Sequence, residues 1–459
     1  MNKLQTLRAI SINALFLIFV FAFCDSVPAQ DKEQKVKLSS EAKQAREHSL
    51  RMLDEMGEIL KEYYYDPKFR GIELKPRIEA AKARVKTLEY NWQMYRVLVQ
   101  LLMDFNDSHT VMIMPPRTDY FQYGFGVQII GDECFVTSVK NDSDARKQGI
   151  EVGDQIVLLG KFKPNRRDLW KMIYVLYKLD PSDTLDLKIR KPDGSEKLLT
   201  IKAKTMTDKE YRAEQKARKE KKKFEAFKCQ EMSKEVIACK LYSFVVEKND
   251  IDKMMKQVAK YPKFVLDLRG NGGGYVSVEQ YLLSHFFDRE VKIADLVTRE
   301  KTETRYTKPL GDRQYKGEVA VLIDSNSASA AEMTARVLQL EKRAKIYGDI
   351  SSGSVMTSII VPFRSIMSAL ADAAIIKVGM SVTVADVIMR DGSRLENTGV
   401  IPDEILQPSA VGLALKTDPV LAYAGIKFGA EVSPEQAGGY YFLVEKGENE
   451  TDEETSESR

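Results

Sequence analysis

Val321-Leu-Ile-Asp-Ser-Asn-Ser-Ala-Ser-Ala-Ala-Glu-Met333 is the stretch on which the fold turns. Val319 to Ile323 is an unbroken apolar run and reads as a strand buried on both faces. Small residues then turn the chain, and Ala330 to Leu340 has the spacing of a helix. A strand, a tight turn and a helix in immediate succession present hydroxyls at the end of a sheet. The helix after Ser329 would aim its free backbone N–H groups and the positive end of its dipole at that point, which suits an oxyanion formed in acyl transfer. Ser329 is therefore a candidate nucleophile. Turn and N-cap duty is the competing use of Ser325, Ser327 and Ser329.

Working outward, Phe264 to Leu268 is a second buried strand and Ser277 to Phe287 a second helical pattern, so the region from Ile237 onward reads as an α/β core. The second strand runs into Leu266-Asp-Leu-Arg-Gly-Asn-Gly-Gly-Gly-Tyr275, whose glycines allow N–H groups to converge on a carbonyl oxygen. The run lacks the Gly-Lys-Ser/Thr ending of a phosphate loop and is not GxGxxG, which argues against nucleotide binding. Two more segments bear on chemistry. Asn106-Asp-Ser-His-Thr110 offers His109 as a general base with a pKa near working pH. Asp391-Gly-Ser-Arg-Leu-Glu-Asn-Thr-Gly-Val-Ile-Pro-Asp403 reads as a turn, a short strand and a second turn, with Glu396 a carboxylate able to orient a histidine.

The chain has 459 residues, enough for two to four folding units, and 70 Lys and Arg against 67 Asp and Glu leave a charge of +3. Nothing global points to nucleic acid or an anionic membrane. Residues 1–29 read as an export signal, with Lys3 and Arg8 before an apolar stretch from Ala14 to Phe23 and small residues at Val27-Pro28-Ala29. The apolar core is about half of the ~20 residues that span a bilayer, so no integral span is expected once the signal is removed. The destination is the periplasm or the exterior, with a lipid anchor at Cys24 as the less favoured variant. Residues 30–118 read as a helical N-terminal domain, with Leu50, Leu53, Met56, Ile59 and Leu60 at helical spacing and a second helical run from Pro76 to Asp104. Residues 119–205 form a mostly-β module with strands at Val127 to Ile130, Cys134 to Val139, Gln155 to Leu159 and Thr184 to Ile189. Residues 206–234 read as a charged helical linker, whose basic run 216–223 is taken as a solvated face rather than a nucleic-acid site. The core spans 235–430. Residues 431–459 form a tail, acidic and disordered at its end.

Removing the signal leaves Cys134, Cys229 and Cys239, an odd number without CxxC spacing; free or buried thiols are favoured over a Cys229–Cys239 bridge. Three histidines, His48, His109 and His285, show no metal-ligand spacing, so neither a metal nor another cofactor is expected. His48 reads as solvated. His285 lies on an apolar helix and reads as packed, a fallback base only.

The four segments, in this order and flanking a β module, resemble the tail-specific protease and tricorn-core family of serine peptidases over residues 45 to 430. The resemblance implies a ClpP/crotonase-like α/β core with an inserted PDZ domain, and no cofactor. Ser329 then matches the family nucleophile, with Gly272 or Gly273 and the N–H of Ala330 as oxyanion donors. Tyr123-Gly-Phe-Gly-Val127 resembles a carboxylate-receiving loop, so Gly124, Phe125, Gly126 and Val127 would bind a peptide's C-terminal end by strand addition. Processing members use a lysine where this chain has Ser354. The tricorn-like branch instead uses a serine, histidine, serine and glutamate, and Ser108, His109 and Glu396 stand in the matching motifs. The expected activity is hydrolysis of peptide bonds in exported proteins or peptides through an acyl-enzyme on Ser329. The alternative is an inactive receptor for exported protein tails. Self-association is left open.

Overall fold

The computed structural model describes residues 39–221, 226–364, 378–440 and 442–443. The expected export signal and the acidic end of the tail lie outside the described residues, as do 222 and 223 of the basic run. Among the described residues no helix is long and apolar enough to cross a membrane.

The chain opens with α1 (Ser40–Tyr63), α2 (Leu74–Thr87) and α3 (Asn91–Met103). The helical run expected from Pro76 to Asp104 is thus two helices. The break falls where Leu88 and Tyr90 take extended backbone, and Gln93 Oε1 accepts the Tyr90 N–H to begin the next helix. Met52, Leu53, Met56 and Leu60 of α1 pack against Met94, Leu98 and Leu102 of α3, the stripe that the helical spacing demands. The chain then passes through β1 (Val111–Ile113) and β2 (Asp119–Gln122) into the β module.

In the module, β3 (Phe125–Ile130), β4 (Glu133–Val139), α4 (Asp144–Lys147), β5 (Gln155–Leu159), α5 (Leu169–Tyr174), β6 (Thr184–Arg190) and β7 (Glu196–Lys202) follow in order. The strands form an antiparallel sheet in the order β3-β4-β5-β6-β7. Ile129, Val136, Ile156, Leu187, Ile189 and Ile201 fill its core. β8 (Lys204–Thr207) pairs with β2 and closes the module at its base. α6 (Asp208–Lys221) is not a bare linker, because Tyr211 stacks on Tyr120 with ring centroids 4.1 Å apart.

Residues expected to continue that helix are instead β9 (Phe227–Ser233), drawn into the core sheet by β10 (Val236–Leu241). This pairing also corrects the thiol expectation. Cys229 lies directly opposite Cys239 with Cα atoms 4.0 Å apart, and the two form a disulfide, while Cys134 is free and buried. A ten-residue spacing carries no such signal; the strand register creates it.

The core continues through α7 (Lys248–Val258), β11 (Lys263–Asp267), α8 (Val276–Ser284), β12 (Lys292–Thr298), β13 (Thr302–Tyr306), β14 (Glu318–Ile323), α9 (Ala330–Leu340), β15 (Ala344–Gly348), β16 (Met356–Pro362), β17 (Gly379–Met389) and β18 (Glu404–Ile405). Six strands form one sheet in the order β18-β15-β14-β11-β10-β9, parallel throughout except at β9. Phe264, Leu266, Val319, Val321 and Ile323 face one apolar layer, and Val265, Ala320 and Leu322 face another. Cover on both sides explains the continuous apolar runs. A second sheet joins β13, β12, β17 and β1, with β16 also on β17. The short strand expected within 391–403 does not form; the segment runs as turns, with Asn397 N–H bound to Gly353 O and Asn397 at φ +62°.

Candidate active site

The carboxyl ends of β11, β14 and β15 lie side by side and release the loops 268–275, 324–329 and 349–355, the place where parallel α/β sheets carry their sites. Ser329 ends the middle loop with φ +54° and ψ −116°, a conformation that costs on the order of 1–3 kcal/mol for a residue with a Cβ. Three contacts hold it there. Its N–H donates to Ser354 O (3.1 Å) and Glu332 Oε2 (3.0 Å), and Ala328 N–H donates to Asn271 O (2.9 Å). Ser329 is partly exposed above the start of α9.

Glu332 is the clamp, and the sequence reading missed its role. Its Oε1 accepts from Ser351 Oγ (2.6 Å) and Gly353 N (2.7 Å), and its Oε2 from Ser354 N (2.9 Å) as well as Ser329 N. Burial pushes its carboxyl up to about 7, against the pull of these donors. Its position three residues after Ser329 is capping-box spacing, the one signal available in advance.

Gly273 lies closest to the candidate nucleophile: a Cβ built on it would stand 2.7 Å from Ser329 Cβ and 2.8 Å from Ala328 O, and its φ is +90°. Its N–H is taken up by Asn271 Oδ1 (2.9 Å), so of the two expected glycine donors only Gly272 has an unengaged N–H among the described residues. The Ala330 N–H is also unengaged. Beneath the loop Arg269 is buried between Asp267 and Asp418, with Arg269 Nη1 to Asp418 Oδ1 at 2.8 Å and Arg269 Nε to Asp267 Oδ1 at 3.0 Å. Burial opposes both charges of the Asp267–Arg269 pair, yet their attraction holds Asp267 low and Arg269 high.

The residues from the N-terminal unit arrive through β1, which pairs with Gly379 to Ser381 of β17. Asp107, fully buried, shapes the loop by accepting from His109 N (3.0 Å), Thr110 N (2.6 Å), Thr383 Oγ1 (2.9 Å) and Tyr64 Oη (2.8 Å). The adjacent Ser108 is bound twice by Glu396, through its N–H (2.8 Å) and its Oγ (2.9 Å), and Ser108 Oγ lies 2.7 Å from His109 Nδ1. A hydroxyl has one proton. If it is donated to the Glu396 carboxylate, Ser108 Oγ accepts from Nδ1–H, and the lone pair of neutral His109 sits on Nε2. Burial lowers the His109 pKa, partly countered by Asp107, and burial raises that of Glu396 against its three donors. Glu396 Oε2 also accepts the Val355 N–H (2.9 Å), next to the Ser354 whose carbonyl binds Ser329. One run of contacts thus links Ser329, Ser354-Val355, Glu396, Ser108 and His109. No direct hydrogen bond joins Ser329 to His109, which is common before substrate draws such a pair together.

Ser354, expected to stand where processing members carry a lysine, contributes backbone groups to this run. His285 is buried elsewhere, with Nδ1 3.2 Å from Arg313 O. Gly124 immediately precedes β3 and Phe125 to Val127 begin it; among the described residues β3 pairs only with β4, Gly124 has φ +80°, and a Cβ there would meet Ser143 Cβ at 2.2 Å.

Residues 235–406 match the model described as peptidase family S41. Over these residues the chain is similar to peptidase family S41. A carboxyl-terminal-processing protease of Picosynechococcus is 29% identical over 170 residues, 37% of this chain and 38% of that protein. The carboxy-terminal processing protease CtpB of Bacillus subtilis is 25% identical over 260 residues, 56% of this chain and 52% of that one. The chain therefore matches about half or less of the length of these curated relatives. Among solved structures, mature CPAF superposes with a TM-score of 0.63 at 15% identity, over 87% of this chain and 96% of that one, so the shared fold extends beyond residues 235–406.

Proposed function

We propose that the chain is an active serine endopeptidase of the carboxyl-terminal processing type that works through histidine rather than lysine. The observation that carries this reading is the Glu396–Ser108–His109 run, which leaves a lone pair on Nε2 of a histidine tied to the Ser329 loop. Ser329 Oγ attacks a peptide carbonyl while His109 Nε2 takes its proton. The oxyanion is met by the N–H of Ala330 and that of Gly272, or of Gly273 if Asn271 releases it. Collapse breaks the C–N bond, and His109 returns the proton to the leaving amine. Water, activated by the same nitrogen, then frees the acid. Ser108 and Glu396 hold the ring and stabilise its charged form.

In the same reading the β module is a PDZ domain. The left-handed turn at Gly124 and the single-sided pairing of β3 support the binding of a substrate's terminal carboxylate at Gly124 to Val127 by strand addition. The disulfide between Cys229 and Cys239 supports export to an oxidising compartment, since such bonds persist there and not in a reducing cytosol. The names of the relatives support substrates processed near their carboxyl ends.

Labelling with a fluorophosphonate probe, followed by mapping of the modified residue, tests the assignment. Modification at Ser329 that vanishes in His109→Ala is the expected result. Folded protein that is not labelled, or labelling indifferent to His109, refutes it.

A further inference from the structure

We propose that Gln128, on β3 of the β module, is a positioning residue for the peptidase reaction, acting through Asp324 on the glycine loop beside Ser329. The proposal rests on the reading of that loop and of Ser329 given above.

Asp324 is the first residue after β14, five positions before Ser329, and both it and Gln128 are 7% exposed. One carboxylate oxygen faces the β module: Oδ2 accepts from Gln128 Nε2 at 2.8 Å. The other faces the site: Oδ1 accepts from Gly270 N (2.9 Å) and Asn326 N (3.0 Å). Ser327 Oγ lies 3.3 Å from Oδ1 but is nearer to Leu268 O, at 2.8 Å. Among the described residues Asp324 has no ion-pair partner, so its buried charge is held by dipoles, and the Gln128 amide is the donor on Oδ2.

The two oxygens belong to one rigid plane. Without the amide, Oδ2 must find another donor or water, since a buried charged oxygen left bare is costly. Turning to do so takes Oδ1 away from Gly270. Gly270 has φ +71° and open space around its Cβ position, so no side chain of its own keeps the loop in place. Three residues on, Gly273 comes so near Ser329 that a Cβ built on it would stand 2.7 Å from Ser329 Cβ. A shift transmitted over this distance displaces the oxyanion donors relative to the nucleophile.

The seam has other anchors, so loss of Gln128 does not undock the module. Ser325 Oγ donates to Ile129 O, Gly131 N–H donates to Asp349 Oδ2 (2.9 Å), and Arg166 binds Asp349 (2.8 Å) and Ile350 O (2.7 Å). Arg166 and Asp349 are the charged pair on this seam besides Asp324.

The experiment compares wild type, Ser329→Ala, Gln128→Leu, Gln128→Glu and the double variant Gln128→Glu with Asp324→Asn, using labelled casein as substrate and thermal melting as the check on folding. Gln128→Leu is expected to lose on the order of ten-fold in kcat with KM within about two-fold, the signature of a group that acts on the transition state. Gln128→Glu opposes two carboxylates, which then share one proton with a raised pKa. Its kcat relative to wild type should rise as pH falls, because the introduced carboxyl, once protonated, donates where the amide did. The double variant exchanges donor and acceptor across the same contact while leaving Oδ1 on Gly270, and should recover most of the loss; if the single variants do not fold, this recovery is the deciding measurement. Wild-type kcat in the single variants at every pH, or no recovery in the double variant, overturns the proposal with the active site intact. Full turnover by Ser329→Ala overturns the underlying site, and the proposal with it.

Discussion

Replacing Glu332 by glutamine tests the clamp on the nucleophile through the pH dependence of stability. Glu332 is fully buried with its carboxyl raised from 4.5 to about 7. A raised carboxyl gives stability that is complete below the unfolded pKa and is lost as pH rises through the folded one, because the unfolded chain ionises first. With the two values 4.5 and about 7, the loss between pH 5 and pH 8 works out to ~2.5 kcal/mol from this one residue. The amide in Glu332→Gln cannot ionise, so the variant lacks that slope. It also turns an NH2 toward two donors, either Ser329 N and Ser354 N or Gly353 N and Ser351 Oγ, so the variant is expected to be less stable than wild type at pH 5 and to lose most of that deficit by pH 8. Urea unfolding of both proteins at the two pH values measures the difference of differences. Parallel pH dependence in wild type and Glu332→Gln would refute the argument, because it would mean that Glu332 is ionised throughout and that its four donors outweigh burial.

Two further expectations concern the rate. Burial lowers the His109 pKa, so the acid limb of kcat/KM should fall below 6.5, where an ordinary histidine titrates; a limb at or above 6.5 in a pH-rate profile would contradict the buried, neutral base. Gly273→Ala places a methyl 2.7 Å from Ser329 Cβ and 2.8 Å from Ala328 O at a φ of +90°, so fluorophosphonate labelling should slow by roughly 10²-fold and the melting temperature should fall with it. Unchanged labelling would show that this approach has no bearing on the nucleophile.

Much of the molecule was legible in the chain. Strands with both faces covered leave unbroken apolar runs, so Val319 to Ile323 and Phe264 to Leu268 could be read as buried strands, and Ala330 to Leu340 emerged as the helix α9. Local chemistry also offered His109, Ser329 and Glu396 as candidates, His109 being one of only three histidines in the chain, while Ser108 entered through the family resemblance. Three misreadings share a cause. The strand β9 looked like a continuation of a charged helix, the segment around Glu396 looked like a strand, and Cys229 and Cys239 looked like separate thiols. In each case the outcome depends on a partner distant in the chain or on register: β10 for the strand and the disulfide, Ser108 and Gly353 for the turns.

The sequence by itself determined that the glycine run after Asp267 and the serine run ending at Ser329 follow buried strands and carry residue types suited to acyl transfer, since hydrophobic periodicity and side-chain type are properties of short stretches. Only the tertiary structure decided that Glu396, 288 positions away, binds Ser108, that Glu332 holds Ser329 in its strained turn, and that Gln128 of the β module reaches Asp324. Those are contacts of buried polar groups that must each find a partner, and which partner is within reach is settled by how the sheets stack, not by the order of residues along the chain.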